Sequence, residues 1–471
     1  MERDAGRREA QTALAGFGLT IVICLAWGYR MTIPYGYYQL LGADHLSQRL
    51  LESLLHLHAQ PPLLNLVLGV VLKTSRWLGI APEHLLLAGH IALGAAAVWG
   101  FVRLSQRLVE RPLIRRICIG VFVFHPAFYL ALFQYFYTFH ELVLLCLIPL
   151  AVIRSLESQR VAAYAVLCGE MALLVYTHSL YHWAFAALLL AAVGSAALPR
   201  APRLARPHLL CFAATLALLL SWPLKNALLF GEFSYTTWAG YSFALELPIA
   251  RERVPVRKWD VPAEFAGIPV LSERNKLDGS RNWNHHSMIG HAHNLAAVAL
   301  GTLADDPLAL LRKAGLNYWN YTRFSGRNPY TGDFGTAGSE LPAFANAWMR
   351  AYELVFYLDP RTASTLAHRA YRTPPRQSWA VSGFVFAFPL LLVCAGVALT
   401  RRRAETRPAQ QIALGLLMSI LLWVLLATLL VDGSEANRIR FPTEPYLLLL
   451  FGWLLASRGR TSAAAESEAA T

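Results

Sequence analysis

The side chains that could move protons or grip an anion gather in a few short stretches of this chain. One is His56-Leu-His58-Ala-Gln60-Pro-Pro-Leu-Leu-Asn65, in which imidazole and amide groups precede a diproline. A second places Asp44 in Gly42-Ala-Asp-His-Leu, followed by Glu52, and a third, Tyr135-Phe-Tyr-Thr-Phe-His140-Glu141, has Glu141 as its carboxylate. Tyr176-Thr-His178-Ser-Leu-Tyr-His182-Trp carries two histidines. Near the end, Glu435-Ala-Asn-Arg438-Ile-Arg440-Phe-Pro-Thr-Glu-Pro445 carries two guanidinium groups. Carboxylates and imidazoles accept protons from a nucleophile, and guanidinium forks clamp phosphate oxygens. Each residue also has a plainer reading. Asp44 could cap a helix, Glu52 could pair with Arg49 on a solvated face, and Glu141 could simply mark the end of a span. A boundary histidine such as His178 could be an ordinary hydrogen-bonding residue, and Arg438 and Arg440 could be interfacial anchors.

The elements that must hold these groups are membrane helices. Of 471 residues 56% are hydrophobic and 15% charged, and the mean hydropathy is +0.39, outside the range of an ordinary soluble domain. Apolar runs suited to about 30 Å of hydrocarbon fall near 13–29, 84–102, 117–133, 141–153, 162–177, 183–198, 208–230, 378–399, 410–431 and 444–456, which predicts an all-α polytopic membrane protein of about ten transmembrane helices. Arg7 and Arg8, the arginines of 103–116, Arg154 and Arg160, Arg200 to Arg206, Arg401 to Arg403, and Arg458 and Arg460 occupy alternate loops. Short cytoplasmic loops retain such residues, so both termini are expected in the cytoplasm. The alternation holds only if 61–79 does not cross. The diproline ends one helix and starts another there, and Lys73 and Arg76 suit a helix lying in the interface.

The net charge of +13 is thus mostly topological and gives little support for nucleic-acid binding. The six cysteines lie in or beside apolar runs, which indicates no disulfide framework. His56, His58, His285, His286, His291 and His293 lack a recognised zinc spacing, so a histidine-bearing surface is favoured over a metal site; a divalent cation stays possible in principle. Glu170, inside an apolar run, must face the bundle interior. The first apolar run lacks a small-residue cleavage site and reads as an uncleaved anchor.

The expected organisation is an N-terminal module over 1–230 with interfacial helices at about 44–79, an outer segment over 231–377, C-terminal transmembrane helices over 378–457, and a disordered cytoplasmic tail over 458–471. Helices are expected near 288–303, 306–320 and 340–357, whether as a separate domain or as a lid. Trp283, Trp319 and Tyr321 could stack on sugar rings or bury a small core.

Three motifs carry a resemblance: His58-Ala-Gln-Pro-Pro-Leu-Leu-Asn65, Lys225-Asn226 with Phe230-Gly231 and Trp238-Ala-Gly240, and Arg438-Ile-Arg-Phe-Pro-Thr-Glu-Pro445. In order and topology they resemble the GT-C superfamily of membrane glycosyltransferases, which includes protein O-mannosyltransferases and aminoarabinose transferases. The resemblance implies an integral enzyme of the bacterial inner membrane. Such an enzyme transfers a sugar from a polyprenyl-phosphate donor to a lipid, glycan or protein acceptor at the outer face, with inversion. It implies a carboxylate base in the first outer loop, here Asp44 or Glu52, although the acidic pair usual in the family is missing. It also implies binding groups for donor and acceptor among His58, Gln60, Glu141, His178, His182, Lys225, Glu435, Arg438 and Arg440. A transporter of lipid-linked saccharide would use the same cations without a base. A non-catalytic envelope scaffold would need neither.

Overall fold

The computed structural model describes residues 2–37, 39–158, 160–197, 202–245, 247, 265, 267–272, 279, 281–322, 343–357, 383–430 and 436–469. They form helices α1 (Glu2–Ala26), α2 (Ala43–Gln48), α3 (Leu50–Leu55), α4 (Leu63–Leu78), α5 (Pro82–Leu108), α6 (Pro112–Val123), α7 (Pro126–Leu132), α8 (Tyr137–Ser158), α9 (Val161–Thr177) and α10 (Trp183–Ala197). There follow α11 (Ala205–Phe230), α12 (Ala239–Leu245), α13 (Ser287–Asp305), α14 (Leu308–Tyr321), α15 (Ala343–Tyr357), α16 (Phe384–Arg401), α17 (Pro408–Leu430), α18 (Ala436–Arg440) and α19 (Glu444–Ala469). Among the described residues, the one pairing of extended backbone is a parallel bridge between Thr32 and Gln134.

Six of these helices, α1, α5, α8, α11, α16 and α17, are long and apolar enough to cross a membrane, and the number rises to eight if each of two bent pairs counts as one span. Of the ten expected crossings, those on α9 and α10 are shorter apolar helices and that on α19 does not meet this measure, while the bent pair α13–α14 does so outside the expected set. The bent pair α6–α7 turns by 43° at Phe124-His125, where Pro126 forbids the preceding residue a helical conformation and the His125 side chain accepts the Ala127 N–H at 3.1 Å. The tail departs from expectation. Its alanine-rich composition favours helix, and α19 continues to Ala469 rather than ending in a disordered segment.

The two ends of the bundle differ in charge. At one, Arg115 meets Glu9 at 3.0 Å, Arg107 meets Glu157 at 3.0 Å and Gln410 donates to the Arg107 carbonyl at 2.6 Å, which gathers the arginine-bearing ends of α1, α5, α6, α8 and α17. At the opposite end the Thr32–Gln134 bridge ties the segment after α1 to the start of α8. The short helices α2, α3 and α4 lie here over their own apolar cluster, built from Leu46, Leu64, Leu68, Leu72, Tyr135 and Phe136. Helix α4 buries Leu64, Leu68 and Leu72 at four-residue spacing while Leu66, Val70 and Trp77 are exposed, a pattern suited to an interfacial position. Gly79 ends it in the left-handed conformation at φ 66°, which a side chain would strain.

Helices near 288–303, 306–320 and 340–357 are expected, and α13, α14 and α15 occupy those places. Described residues of this segment pack into the bundle. Met349, Tyr352 and Tyr321 belong to the main core, and Tyr352 donates from its hydroxyl to the Val121 carbonyl on α6. Gly240 shows how closely α12 and α13 approach: a Cβ there would collide with the Ala292 carbonyl oxygen.

Candidate functional site

The histidine–diproline stretch is a knot that secures distant segments. Asn284 accepts the backbone N–H groups of His58 and Ala59 at 2.9 and 3.0 Å through its side-chain oxygen, and its amide donates to the His56 carbonyl at 3.0 Å. His58 is fully buried, with Nε2 against the Asn284 carbonyl at 2.9 Å and Nδ1 against the Thr237 hydroxyl at 2.8 Å. A carbonyl only accepts, so Nε2 carries the proton and Nδ1 receives the Thr237 hydroxyl. Lys225 donates to the Leu57 carbonyl and lies 3.7 Å over the Trp222 ring. Asn65 closes the same region by accepting the Leu41 N–H at 2.8 Å and donating to the Gln39 carbonyl at 2.9 Å. His58, Lys225 and Asn65 therefore hold the fold together. Gln60, next to them, is half-buried.

Burial and the Lys225 charge push the His58 ring down to about 3. The ordinary value is near 6.5, so the stabilisation from the neutral ring is complete above about 6.5 and is lost as pH falls toward the folded value, by up to about 1.4 kcal/mol per pH unit. Protection factors of 56–59 and 282–286, corrected for the intrinsic pH dependence of amide exchange, are therefore expected to fall between pH 6.5 and 4.5. Constant protection over that window contradicts the assignment.

Asp44 and Glu52 sit in the α2–α3 layer. The N-cap of α2 is Gly42, and Asp44 in the first turn makes no capping bond. One of its oxygens lies 3.7 Å from His45 Nε2 and the other is enclosed without a hydrogen-bond partner. Glu52 faces Arg49 at 3.7 Å with both side chains largely exposed, the geometry of a solvated pair worth about 0–1 kcal/mol.

A different set of residues converges at the start of α8. Tyr137 and Glu141 are one turn apart on the same face. His178, the extended residue that ends α9, stacks on Tyr137 with ring centroids 4.1 Å apart, and its Nδ1 lies 2.6 Å from Glu141 Oε1. The contact brings carboxylate and imidazole together without a hydrogen bond of normal geometry. Glu141 is fully buried, and its Oε2 has no hydrogen-bond partner. From the other side Arg438 donates to the Tyr137 hydroxyl at 2.5 Å and to Thr138 Oγ1 at 3.3 Å, with its guanidinium 4.6 and 4.7 Å over the rings of Phe136 and Tyr137. Tyr181 is enclosed beside Glu141, and burial together with that carboxylate pushes its phenol well above the ordinary value.

Arg440 belongs to a deeper group. It donates to Glu444 Oε1 at 2.9 Å and to the Tyr321 carbonyl, and Glu444 Oε2 meets His125 Nε2 at 2.8 Å at the α6–α7 bend. Between α15, α16 and α19 an apolar cleft of about 490 Å³ reaches this pair, lined by Tyr352, Phe384, Phe388, Leu391 and Phe451 among others. His182 is exposed and accepts the Ala184 N–H at 3.2 Å, which starts α10. Glu435 lies outside the described residues. Trp283 packs on Trp238 with centroids 5.5 Å apart and Tyr321 is fully buried, so both aromatic groups serve packing. His285 is also buried, a correction to the expectation of a histidine-bearing surface. Among the described residues, no group of three or more His, Cys, Asp or Glu side chains could hold a metal ion.

The structure thus gathers Glu141, His178 and Arg438 and leaves Asp44 and Glu52 in the adjoining layer. Tyr137, Tyr181, Asn284 and Glu444 were missed as functional or positioning residues. Tyr137 had a signal in its one-turn spacing from Glu141, and Glu444 in its one-turn spacing from Arg440; Asn284 had none. No protein-family model, curated protein or solved structure matches this chain.

Proposed function

We propose that this protein is a membrane glycosyltransferase of the GT-C kind that moves a sugar from a polyprenyl-phosphate donor to an envelope acceptor. One observation carries the reading: a guanidinium and a carboxylate–imidazole pair meet through a single tyrosine, Tyr137, at the end of the bundle that also bears the interfacial helices. Transfer from a lipid phosphate needs both groups together, a cation for the departing phosphate and a proton acceptor for the incoming hydroxyl. The apolar cleft between α15, α16 and α19 offers room for a hydrocarbon chain within the spanning region. The arginine-bearing end is then cytoplasmic in a bacterial inner membrane, with about ten crossings, both termini inside and the site at the outer face.

Mass spectrometry of envelope glycans and lipid-linked sugars from a deletion strain tests this. One missing glycosyl unit with accumulation of its lipid-linked donor is the expected result, and an unchanged profile rejects it. Asp44→Asn and Glu52→Gln, returned to that strain, test the first-loop base that the resemblance implies. If both restore the glycan, the proton acceptor lies elsewhere.

A further inference from the structure

We propose that His178 is the proton acceptor of this site and that buried Glu141 is its counter-charge, an inference that rests on the transferase reading above. A carboxylate removed from water with an oxygen left unbonded is expensive, and proteins keep one where its charge has a use. Among the described residues, the basic side chain within 4 Å of Glu141 is His178, whose Nδ1 is enclosed against it. The ring is 11% exposed, and since Nδ1 is enclosed that exposure falls on the rest of the ring, the part that carries Nε2. Tyr137 stacks on one face of the imidazole and is itself held by Arg438, so the ring has little freedom to turn.

This arrangement suits a general base: one nitrogen against a carboxylate, the other on the part of the ring that is not enclosed. In the step it performs, the acceptor hydroxyl gives its proton to the Nε2 lone pair while its oxygen forms the bond to the anomeric carbon. The bond from that carbon to the phosphate oxygen breaks, and its electron pair leaves on the phosphate. The imidazolium is balanced by Glu141, and the departing anion by Arg438 across Tyr137. Asp44 stands in the α2–α3 layer beside His45, with no such connection to the guanidinium.

The test uses full-length protein in liposomes, as wild type, Glu141→Gln, His178→Gln and Asp44→Asn, with unfolding midpoints checked for each. Carbethoxylation by diethyl pyrocarbonate, read peptide by peptide, needs no sugar donor. His178 is expected to react, and its rate is expected to change several-fold in Glu141→Gln, because the carboxylate that lies 2.6 Å from its Nδ1 is then gone. Unreactive His178, or a rate indifferent to Glu141→Gln, overturns the pair whether or not transfer is seen. In transfer assays with a short-chain polyprenyl-phosphate sugar, His178→Gln is expected to lower kcat by about 100-fold or more, to leave the donor KM unchanged and to abolish the acid limb of the pH–rate profile. A wild-type rate in His178→Gln with loss confined to Asp44→Asn overturns the proposal and assigns the base to Asp44. Labelling as expected without transfer by wild type from any donor overturns the transferase reading, and with it the proton-acceptor role, while the charge pair stands.

Discussion

Replacing Arg438 with lysine is expected, on the transferase reading proposed above, to slow sugar transfer by about 100-fold or more while the protein remains folded. The guanidinium is 4% exposed, rests on the rings of Phe136 and Tyr137 and donates from separate nitrogens to Tyr137 and Thr138. Lysine keeps the charge but has neither the flat surface for two rings nor the fork for two acceptors, so its ammonium would take a different place. Fixed donors in a water-poor site matter most where negative charge grows during the reaction, and a phosphate leaving a sugar is such a case. Initial rates with a labelled polyprenyl-phosphate sugar give the measurement. A rate within threefold of wild type would remove Arg438 from the reaction and leave it as an aromatic-packed anchor.

Truncating Glu444 to alanine is expected to cost about 3–5 kcal/mol of stability, the usual consequence of taking one partner from a buried ion pair. Its two oxygens serve Arg440 and His125 at 2.9 and 2.8 Å, so the change affects both the start of α19 and the α6–α7 bend. Arg440 is fully buried. The double variant Arg440→Met with Glu444→Leu removes both charges and fills similar volume, and is expected to recover most of the loss. Unfolding in detergent or lipid for the single and double variants decides the matter. Equal destabilisation in the two would show that packing around α18, and not charge, holds this region.

Helices were legible where their patterns are local. The apolar runs near 84–102, 141–153, 208–230 and 410–431 fall on α5, α8, α11 and α17, while the helix starts at Pro82, Pro112 and Pro126 and the stop at Gly79 follow from local backbone chemistry. The role of α15 was not legible, because a mixed amphipathic stretch shows one apolar face whether it covers a lid or enters the bundle. Only the contacts of Tyr352 with Val121 and His125 reveal the second. Within the site, the value of Glu141 and of Arg438 was visible separately, as rare charges at helix ends. Their convergence was not, since Arg438 and Tyr137 are 301 residues apart and nothing in composition reports which helix ends adjoin. The histidine–diproline stretch showed the reverse. Its residue types suggested chemistry, yet His58 and Asn65 spend their polar atoms on backbone and side-chain groups of the fold.

The Asn284 knot also bears on how the protein is made. The amides of His58 and Ala59 find their acceptor 226 and 225 residues further along. On a ribosome adding about 5–20 residues per second, that partner appears on the order of 10–45 s later. During that interval the stretch ahead of Pro61 has water in place of its final acceptor. The first third of the nascent chain is therefore inserted long before it is locked, and a truncated product ending before Asn284 would present 56–59 unsecured to quality-control proteases.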